Sequence, residues 1–419
     1  MKSIGFFWTN SKEENECCRK CPHLKDDTTQ SNSASKEQTG DEFEFQINLW
    51  NSDVKSTVTN EKYRFRAVDF GIVCPLSIRK FVLLLPFKAD ISEFHDLVRC
   101  LSLDTDLLCT VFNEDLKSTS EPSKSYHTIE GGKIKLLMYE LSKENIEEFI
   151  YDEQTGVTQI TITINSDFNT ESFRDYRLFV RFRIMLKSFL AFAKKKKVSN
   201  DWLQSAFSSS YLFDIRLNDV RELSKKKKEL VEFKGFRLPK FSKIHFFYMA
   251  DSEESVENGS SIKLDKRLLE NQRWHSYLGD KIEFVSENVA HHWKRKEEFK
   301  LGLEKVNTQN LQNTNLQLKP SIQPVKNFTL FFKTEFSDCQ KMRLLIYILI
   351  VVLLGTVASA IIAFIDSLIP KDFEYCWGIW LVVTLGLIFL LNIFLLGSVK
   401  KNKINGISCN KKGNRLSFG

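Results

Sequence analysis

The chain has 419 residues, a formal net charge of +7, 42% hydrophobic residues and only 8 prolines. This hydrophobic content excludes an intrinsically disordered chain, and the length allows two or three domains with buried cores. The excess of basic residues favours an anionic partner, nucleic acid or a phospholipid surface, without choosing between them.

The N-terminal half of the sequence favours β-strands. Residues 1–42 are largely polar and rich in Ser and Thr, which predicts a flexible arm. At 43–49 apolar and polar residues alternate, and this is the period of a half-buried strand. Further strands are predicted at 63–70, 81–87, 133–141 and 157–164.

Helical periodicity is found mainly in the middle of the chain. At 91–113 apolar residues recur with a period near 3.6, and helices are also expected at 172–197, 218–233 and 264–306. Strands followed by helices indicate an α+β body, which we place at 43–306. A linker and juxtamembrane segment follows at 307–342 and contains a predicted strand at 328–336.

Two segments, 174–197 and 224–237, combine basic with aromatic side chains. Such a combination binds the phosphates and bases of RNA or single-stranded DNA, and it also suits an anionic membrane surface. A core-facing helix with a solvated basic edge is the third interpretation, and the sequence leaves all three open. The candidate contact residues are Arg177, Arg181, Lys194, Lys195, Lys196, Lys197, Lys225, Lys226, Lys227 and Lys228.

The C-terminal region predicts a transmembrane hairpin at 343–399. Its two uncharged runs, 344–365 and 377–399, are each long enough to cross a hydrocarbon layer of ~30 Å at ~1.5 Å per residue. Lys and Arg residues flank both outer ends, including the basic tail at 400–419, so both termini are expected in the cytoplasm. The expected fold is an α+β cytoplasmic body followed by a C-terminal α-helical transmembrane hairpin.

Small residues in the first predicted span indicate close helix packing. Gly355, Ser359 and Ala363 recur at every fourth position, which lets a second helix approach closely. The partner is either the second span or another copy of the chain. Asn392 is the one strongly polar side chain of the second span and is expected to face protein or water. Two spans cannot enclose a pore, so ion conduction would require a homo-oligomer.

Motifs for chemistry are incomplete. The segment CCRKCPH at 17–23 resembles half of a zinc site, but no second pair of ligands completes it. The sequence contains no phosphate-binding Gly-x-x-x-x-Gly-Lys-Ser/Thr loop and no Gly-x-Ser-x-Gly elbow. We therefore predict no catalytic, cofactor-binding or metal-binding residue, and a protein that is not an enzyme.

The overall design resembles the two-transmembrane effectors of bacterial anti-phage systems, and in particular the membrane effector of a retron. The resemblance lies in the strand-rich body up to Ile164, the basic middle region and the hairpin with its cationic tail. It includes no diagnostic motif. It implies a multi-pass toxin of the bacterial inner membrane, held inactive by a reverse transcriptase with its non-coding RNA and RNA-linked DNA.

On infection, the resemblance implies, the toxin is released, disrupts the inner membrane and halts the infected cell. The alternative is a membrane-anchored scaffold or enzyme in which the hairpin serves only for localisation.

Overall fold

A computed structural model describes most of the chain. The described residues are 3–10, 42–121, 124–165, 172–188, 190, 192–196, 208–279, 281–304, 317–325, 328–337 and 341–368. The chain divides into two compact units, Met1–Lys196 with Ser210–Phe336 and Lys197–Ser209 with Ser337–Gly419.

Strands dominate the first unit. Within the described ranges the chain forms 21 strands: β1 (Gly5–Asn10), β2 (Glu42–Ser56), β3 (Lys62–Cys74), β4 (Ile78–Leu85), β5 (Phe94–Asp96), β6 (Lys117–Ser120), β7 (Tyr126–Gly131), β8 (Ile134–Tyr139), β9 (Ile146–Asp152), β10 (Val157–Thr163), β11 (Arg177–Met185), β12 (Ala193–Lys195), β13 (Ser208–Leu217), β14 (Lys240–Asp251), β15 (Ser255–Asn258), β16 (Leu264–Leu268), β17 (Ile282–Phe284), β18 (Asn288–Lys296), β19 (Glu298–Glu304), β20 (Gln317–Gln323) and β21 (Phe328–Ser337).

Helices are fewer. The described part of the chain contains five α-helices: α1 (Val98–Leu103), α2 (Thr105–Phe112), α3 (Val220–Lys228), α4 (His275–Leu278) and α5 (Lys341–Leu368). Short 3-10 turns lie at Ile91–Glu93, Lys143–Asn145 and Asn271–Trp274, and a π-helical turn at Glu229–Phe233 extends α3.

The main sheet contains eleven strands. Nine follow in the order β16-β18-β14-β2-β3-β11-β8-β7-β6, while β17 pairs with β2 and β5 with β11. The long strands β2 and β3 are antiparallel, and β14 runs parallel to β2 on its other side. Because successive residues of a strand point to opposite faces, each of these strands contributes side chains to both faces of the sheet.

A hydrophobic core lies on each face of the main sheet. On the first face Phe45, Phe70 and Phe246 pack against side chains of two four-stranded sheets, β1-β4-β10-β9 and β12-β13-β21-β15. On the second face Trp50 and Phe179 pack beneath α1, α2 and α4. These helices cover only part of the second face, and the uncovered part carries the candidate site.

The predicted α+β fold class is wrong. Strand residues outnumber helical residues, 52% to 23%, in the structure that is described. The strands predicted at 43–49, 63–70, 81–87, 133–141, 157–164 and 328–336 are confirmed as β2, β3, β4, β8, β10 and β21. The helix predicted at 218–233 is confirmed by α3, and the segment 91–113 contains α1 and α2 after a short turn and β5.

Two other predicted helices are strands. The segment 172–197 contains β11 and β12, and the segment 264–306 contains β16 to β19 with the short α4 between them. In β11 the buried Leu178, Val180 and Phe182 alternate with Arg181 and Arg183. The spacing of the basic residues favours a helix, but this alternation has the period of two that a strand requires.

The prediction of a transmembrane hairpin is also contradicted. Among the residues that the structure describes, no helix combines the length and apolar composition needed to cross a membrane. The second predicted span, 377–399, lies outside the described residues. The structure does not support a two-span protein of the inner membrane.

Candidate functional site

The uncovered part of the second face of the main sheet carries basic and aromatic side chains. We call this group the basic sheet face, and it consists of Lys243, His245, Phe247, His292, Lys294 and Lys296. Two of the lysines, Lys294 and Lys296, are exposed, and the other four residues are half-buried. The second hydrophobic core ends here, because Phe247 packs against its edge.

The register of β14 and β18 brings these side chains together. The three directly opposed pairs are Lys243 with Lys296, His245 with Lys294, and Phe247 with His292. Side chains directly opposed on antiparallel strands interact across a Cβ separation of ~5 Å. The alternate residues of the same strands, including Phe246 and Trp293, are buried in the first core and hold this register.

Three rings with nearly parallel planes lie together at the centre of the basic sheet face. The rings of Phe247 and His292 lie 4.1 Å apart with an angle of 3° between their planes. The rings of His245 and His292 are 5.2 Å apart at 10°, and Nδ1 of His245 lies 3.1 Å from Nε2 of His292. That hydrogen bond needs one nitrogen to donate and the other to accept, so it fixes the two rings relative to each other.

Both histidines are held neutral. Burial lowers the pKa of His245 to about 3, and Lys294 is the next largest cause. Burial followed by Lys294 also lowers the pKa of His292 to about 4, against a smaller opposing effect of Asp265. At pH 7 the positive charge of the basic sheet face therefore comes from its lysines.

The lysines repel one another. Burial lowers the pKa of Lys294, and the charges of Lys296 and Lys243 lower it further. Glu44 partly neutralises the group, because its Oε1 lies 2.9 Å from Nζ of Lys243. Within the described ranges Lys294 and Lys296 have no ion-pair partner. A bound anion would supply the missing counter-charge.

A polar bridge extends the site across β2, β3 and β11. Nη1 of Arg181 donates to Oε1 of Gln46 at 3.0 Å, and these two side chains meet over Gly71. A Cβ at Gly71 would lie 3.1 Å from Oε1 of Gln46 and 3.5 Å from Nη1 of Arg181. Glycine at this position therefore leaves room for the bridge.

Of the predicted contact residues that the structure describes, only the two arginines lie beside this site. Arg177 donates to Oε1 of Glu44 at 3.1 Å, so it shares that carboxylate with Lys243. Arg181 is 1% exposed and donates from Nε to the hydroxyl of Tyr277 at 2.7 Å. Arg181 therefore positions neighbouring side chains and does not present its charge to solvent.

The predicted lysines lie elsewhere in the fold. Lys194 and Lys195 are exposed on β12 and Lys196 directly follows, while Lys197 is outside the described residues. The other four, Lys225, Lys226, Lys227 and Lys228, form the last turn of α3. Neither group of lysines belongs to the main sheet. Neither group is therefore part of the basic sheet face.

The predicted helix-packing residues lie in the second unit. Gly355, Ser359 and Ala363 are exposed in α5, and Oγ of Ser359 donates to the carbonyl oxygen of Gly355 at 3.0 Å. Asn392 lies outside the described residues. Because the prediction of a membrane hairpin is contradicted, no membrane role is assigned to these side chains.

Metal binding has no support in the described ranges, which contain no group of three or more His, Cys, Asp or Glu residues placed to hold an ion. The Cys-rich segment at 17–23 lies outside these ranges. His291 and His292 belong to β18 and point to opposite faces, so two adjacent histidines do not form a metal site there.

The sequence contained a signal for the basic sheet face. In β18, His292, Lys294 and Lys296 alternate with the buried His291 and Trp293. A period of two predicts a strand with one basic face, whereas the helix expected at 264–306 includes this segment. The pairing with β14, about 45 residues away, has no local signal.

No protein-family model and no curated protein sequence matches the chain, so its function is argued from the geometry of this site.

Proposed function

We propose that the chain binds a single-stranded nucleic acid on the basic sheet face. The observation that carries this proposal is the placement of Lys243, Lys294 and Lys296 around three fixed rings, in which Phe247 stacks on His292 and His245 is hydrogen-bonded to His292. Single-stranded nucleic acids are bound by surfaces that combine cationic side chains for the phosphates with ring faces on which bases stack.

The electrostatics of the free protein support an anionic ligand. Lys243 and Lys296 already disfavour the charged form of Lys294, and Glu44 is shared between Lys243 and Arg177. A phosphate near Lys294 relieves this repulsion, and each lysine that contacts a phosphate also releases condensed counterions from the strand. Binding to the basic sheet face should therefore depend strongly on salt.

The rings favour a nucleic acid over a simple anion. Stacking of a base on a protein ring contributes about 1–3 kcal/mol and tolerates any sequence. In the stack, Phe247 and His292 already lie with their planes parallel. A base can extend such a stack without reorganising it, and this preorganisation lowers the entropic cost of binding.

The resemblance to retron effectors suggests one source for the nucleic acid that binds. The partner that it implies, a reverse transcriptase with its non-coding RNA and RNA-linked DNA, contains both RNA and DNA. Binding of this complex is part of the proposal. The toxin activity and its role in abortive infection stay predictions.

Fluorescence anisotropy with labelled single-stranded RNA and DNA tests the proposal. The K294E/K296E variant should bind at least about tenfold more weakly than wild type, and the slope of log K against log salt should fall by ~1.4. The matched control is K135E, because Lys135 is on β8 of the same sheet with a side chain 50% exposed. Equal affinities of wild type and K294E/K296E, with both proteins folded, would refute the proposal.

A further inference from the structure

At the far edge of the main sheet, three residues form a hydrogen-bonded chain. The hydroxyl oxygen of Ser120 lies 2.6 Å from Nδ1 of His127, and Nε2 of His127 lies 2.6 Å from Oε1 of Glu140. From this geometry we propose that Ser120 is an activated nucleophile that cleaves carboxylic esters, with His127 as its general base and Glu140 as the residue that positions the imidazole.

The strand register places the three side chains on one face. Ser120 in β6 is directly opposite His127 in β7, and β7 in turn pairs with β8, which ends one residue before Glu140. The backbone N–H of Glu140 donates to the carbonyl oxygen of Ser125 at 2.9 Å, which continues the pairing past the end of β8. The chain of hydrogen bonds is thus fixed by backbone pairing.

The three hydrogen-bonded side chains differ in exposure, and the nucleophile is the exposed one, as catalysis on a substrate from solvent requires. Ser120 is exposed, the side chain of His127 is 8% exposed, and that of Glu140 is 32% exposed. The hydroxyl can reach a substrate from solvent, while the base behind it is shielded from water. A hydroxyl, an imidazole and a carboxylate in this order are the parts of a serine nucleophile, its base and the orienting acid.

The hydrogen bonds also define the tautomer of His127. A carboxylate has no proton to donate, so Nε2 of His127 donates to Glu140. Nδ1 is then the acceptor and takes the hydrogen bond from the hydroxyl of Ser120. This is the tautomer that a general base for Ser120 requires.

The proposed reaction has two steps. Oγ of Ser120 attacks the ester carbonyl carbon and its proton passes to Nδ1 of His127. The tetrahedral intermediate then expels the alkoxide, which takes that proton and leaves as the alcohol, while the acyl group stays on Ser120. Water, deprotonated by His127, attacks the acyl carbon, releases the carboxylic acid and returns the proton to Oγ.

The pair formed by Ser92 and Asp90 provides a control for the role of the imidazole. The hydroxyl of Ser92 donates to Oδ1 of Asp90 at 2.8 Å, and Ser92 is also exposed. That serine has a carboxylate partner but no imidazole between them. If a nearby carboxylate alone were sufficient to activate a serine, Ser92 and Ser120 would react alike.

The test is covalent labelling of the full chain with a fluorophosphonate probe, followed by peptide mapping, and hydrolysis of p-nitrophenyl acetate. We expect the label on Ser120 and not on Ser92. S120A should lose that label and the esterase activity, whereas S92A should keep both. H127Q should lower the labelling rate by about 10²-fold or more.

Glu140 is tested as a positioning residue through rescue by a conservative variant. E140Q removes the carboxylate that accepts the hydrogen bond from Nε2 of His127, so the labelling rate of Ser120 should fall, and E140D should restore it in part. Thermal unfolding shows whether each variant is folded, and S120A removes an exposed hydroxyl together with its hydrogen bond to Nδ1 of His127. Absence of label from Ser120 in the folded wild type, or equal labelling in a folded H127Q, would overturn the proposal.

Discussion

Arg183 and Asp69 form a two-point ion pair inside the second hydrophobic core. Nε of Arg183 donates to Oδ1 at 2.7 Å and Nη2 donates to Oδ2 at 3.0 Å, with side chains that are 4% and 0% exposed. The same carboxylate accepts hydrogen bonds from Nε1 of Trp50 and the hydroxyl of Tyr277, both at 2.7 Å. One acid therefore joins β2, β3, β11 and α4.

We predict that Asp69→Asn destabilises the protein by about 3–5 kcal/mol, because it leaves the Arg183 guanidinium buried without its counter-charge. Urea unfolding measures this. The control is Asp175→Asn, since Asp175 lies 3.7 Å from Lys135 in an exposed pair and should change stability by less than about 0.5 kcal/mol. A loss below about 1 kcal/mol in D69N would contradict this account of the network.

Gly71→Ala should weaken the bridge between Gln46 and Arg181. The new Cβ would lie 3.3 Å from Cβ of Gln46 and closer still to its Oε1, so Gln46 must move. We expect a loss of stability of about 1–3 kcal/mol, the usual range for overpacking. Gln46→Ala in the same background is the control, because it removes the Oε1 contact at 3.1 Å and keeps the Cβ contact at 3.3 Å. If G71A costs the same with and without Gln46, the bridge is not the reason.

The pH dependence of stability should contain a contribution from His245. Its folded-state pKa of about 3 lies below the ordinary 6.5, so the folded state resists protonation. The corresponding stability is present above pH 6.5 and is lost as the pH falls through that value toward 3. The charges that face this ring are Lys243, Lys294 and Lys296, with Glu44 beyond Lys243.

His245→Gln has no proton to gain in this range. Unfolding at pH 7 and at pH 5 should therefore show a variant whose stability relative to wild type improves as the pH falls. A difference between the two proteins that is independent of pH would show that His245 already binds its proton in the folded state as it does in the unfolded chain.

Glu254 should change stability with pH in the direction opposite to His245. Burial raises its pKa to about 7, and its oxygens accept hydrogen bonds from Tyr248 at 2.6 Å and Asn51 at 2.9 Å. A raised folded-state pKa gives stability that is present below pH 4.5 and lost as the pH rises to about 7. Glu254→Gln should gain ~1–3 kcal/mol relative to wild type between pH 5 and pH 8.

The exposed Glu257, which pairs with Lys333 at 3.1 Å, provides the control for that experiment. Its side chain is 71% exposed, and E257Q is the matched substitution at an exposed carboxylate. An E254Q variant that behaves like E257Q would contradict the inferred burial of a neutral carboxyl.

Local alternation was sufficient to predict the central strands. In β2 and β10 the apolar side chains repeat every second residue, and the structure confirms both. The segment 172–197 fits a helix because Arg177 and Arg181 on β11 are four positions apart, whereas the basic residues of β18 repeat every second position and indicate a strand. The candidate site could not be predicted from either strand alone, because it depends on the pairing of Phe247 with His292 across the sheet.

The hydrogen-bonded chain of Ser120, His127 and Glu140 also depends on the pairing of strands. Its three residues are separated by seven and thirteen positions, and only the register of β6, β7 and β8 brings them together. Motif searches look for a fixed local pattern, so they find no signal here.

Photocrosslinking tests nucleic-acid binding most directly. The full chain is bound to single-stranded RNA that carries 4-thiouridine, irradiated, digested and mapped by mass spectrometry. The account predicts crosslinks within β14 and β18, centred on Phe247 and His292, that disappear in K294E/K296E. Crosslinks confined to Lys194–Lys196 or Lys225–Lys228, or none at all, would contradict it.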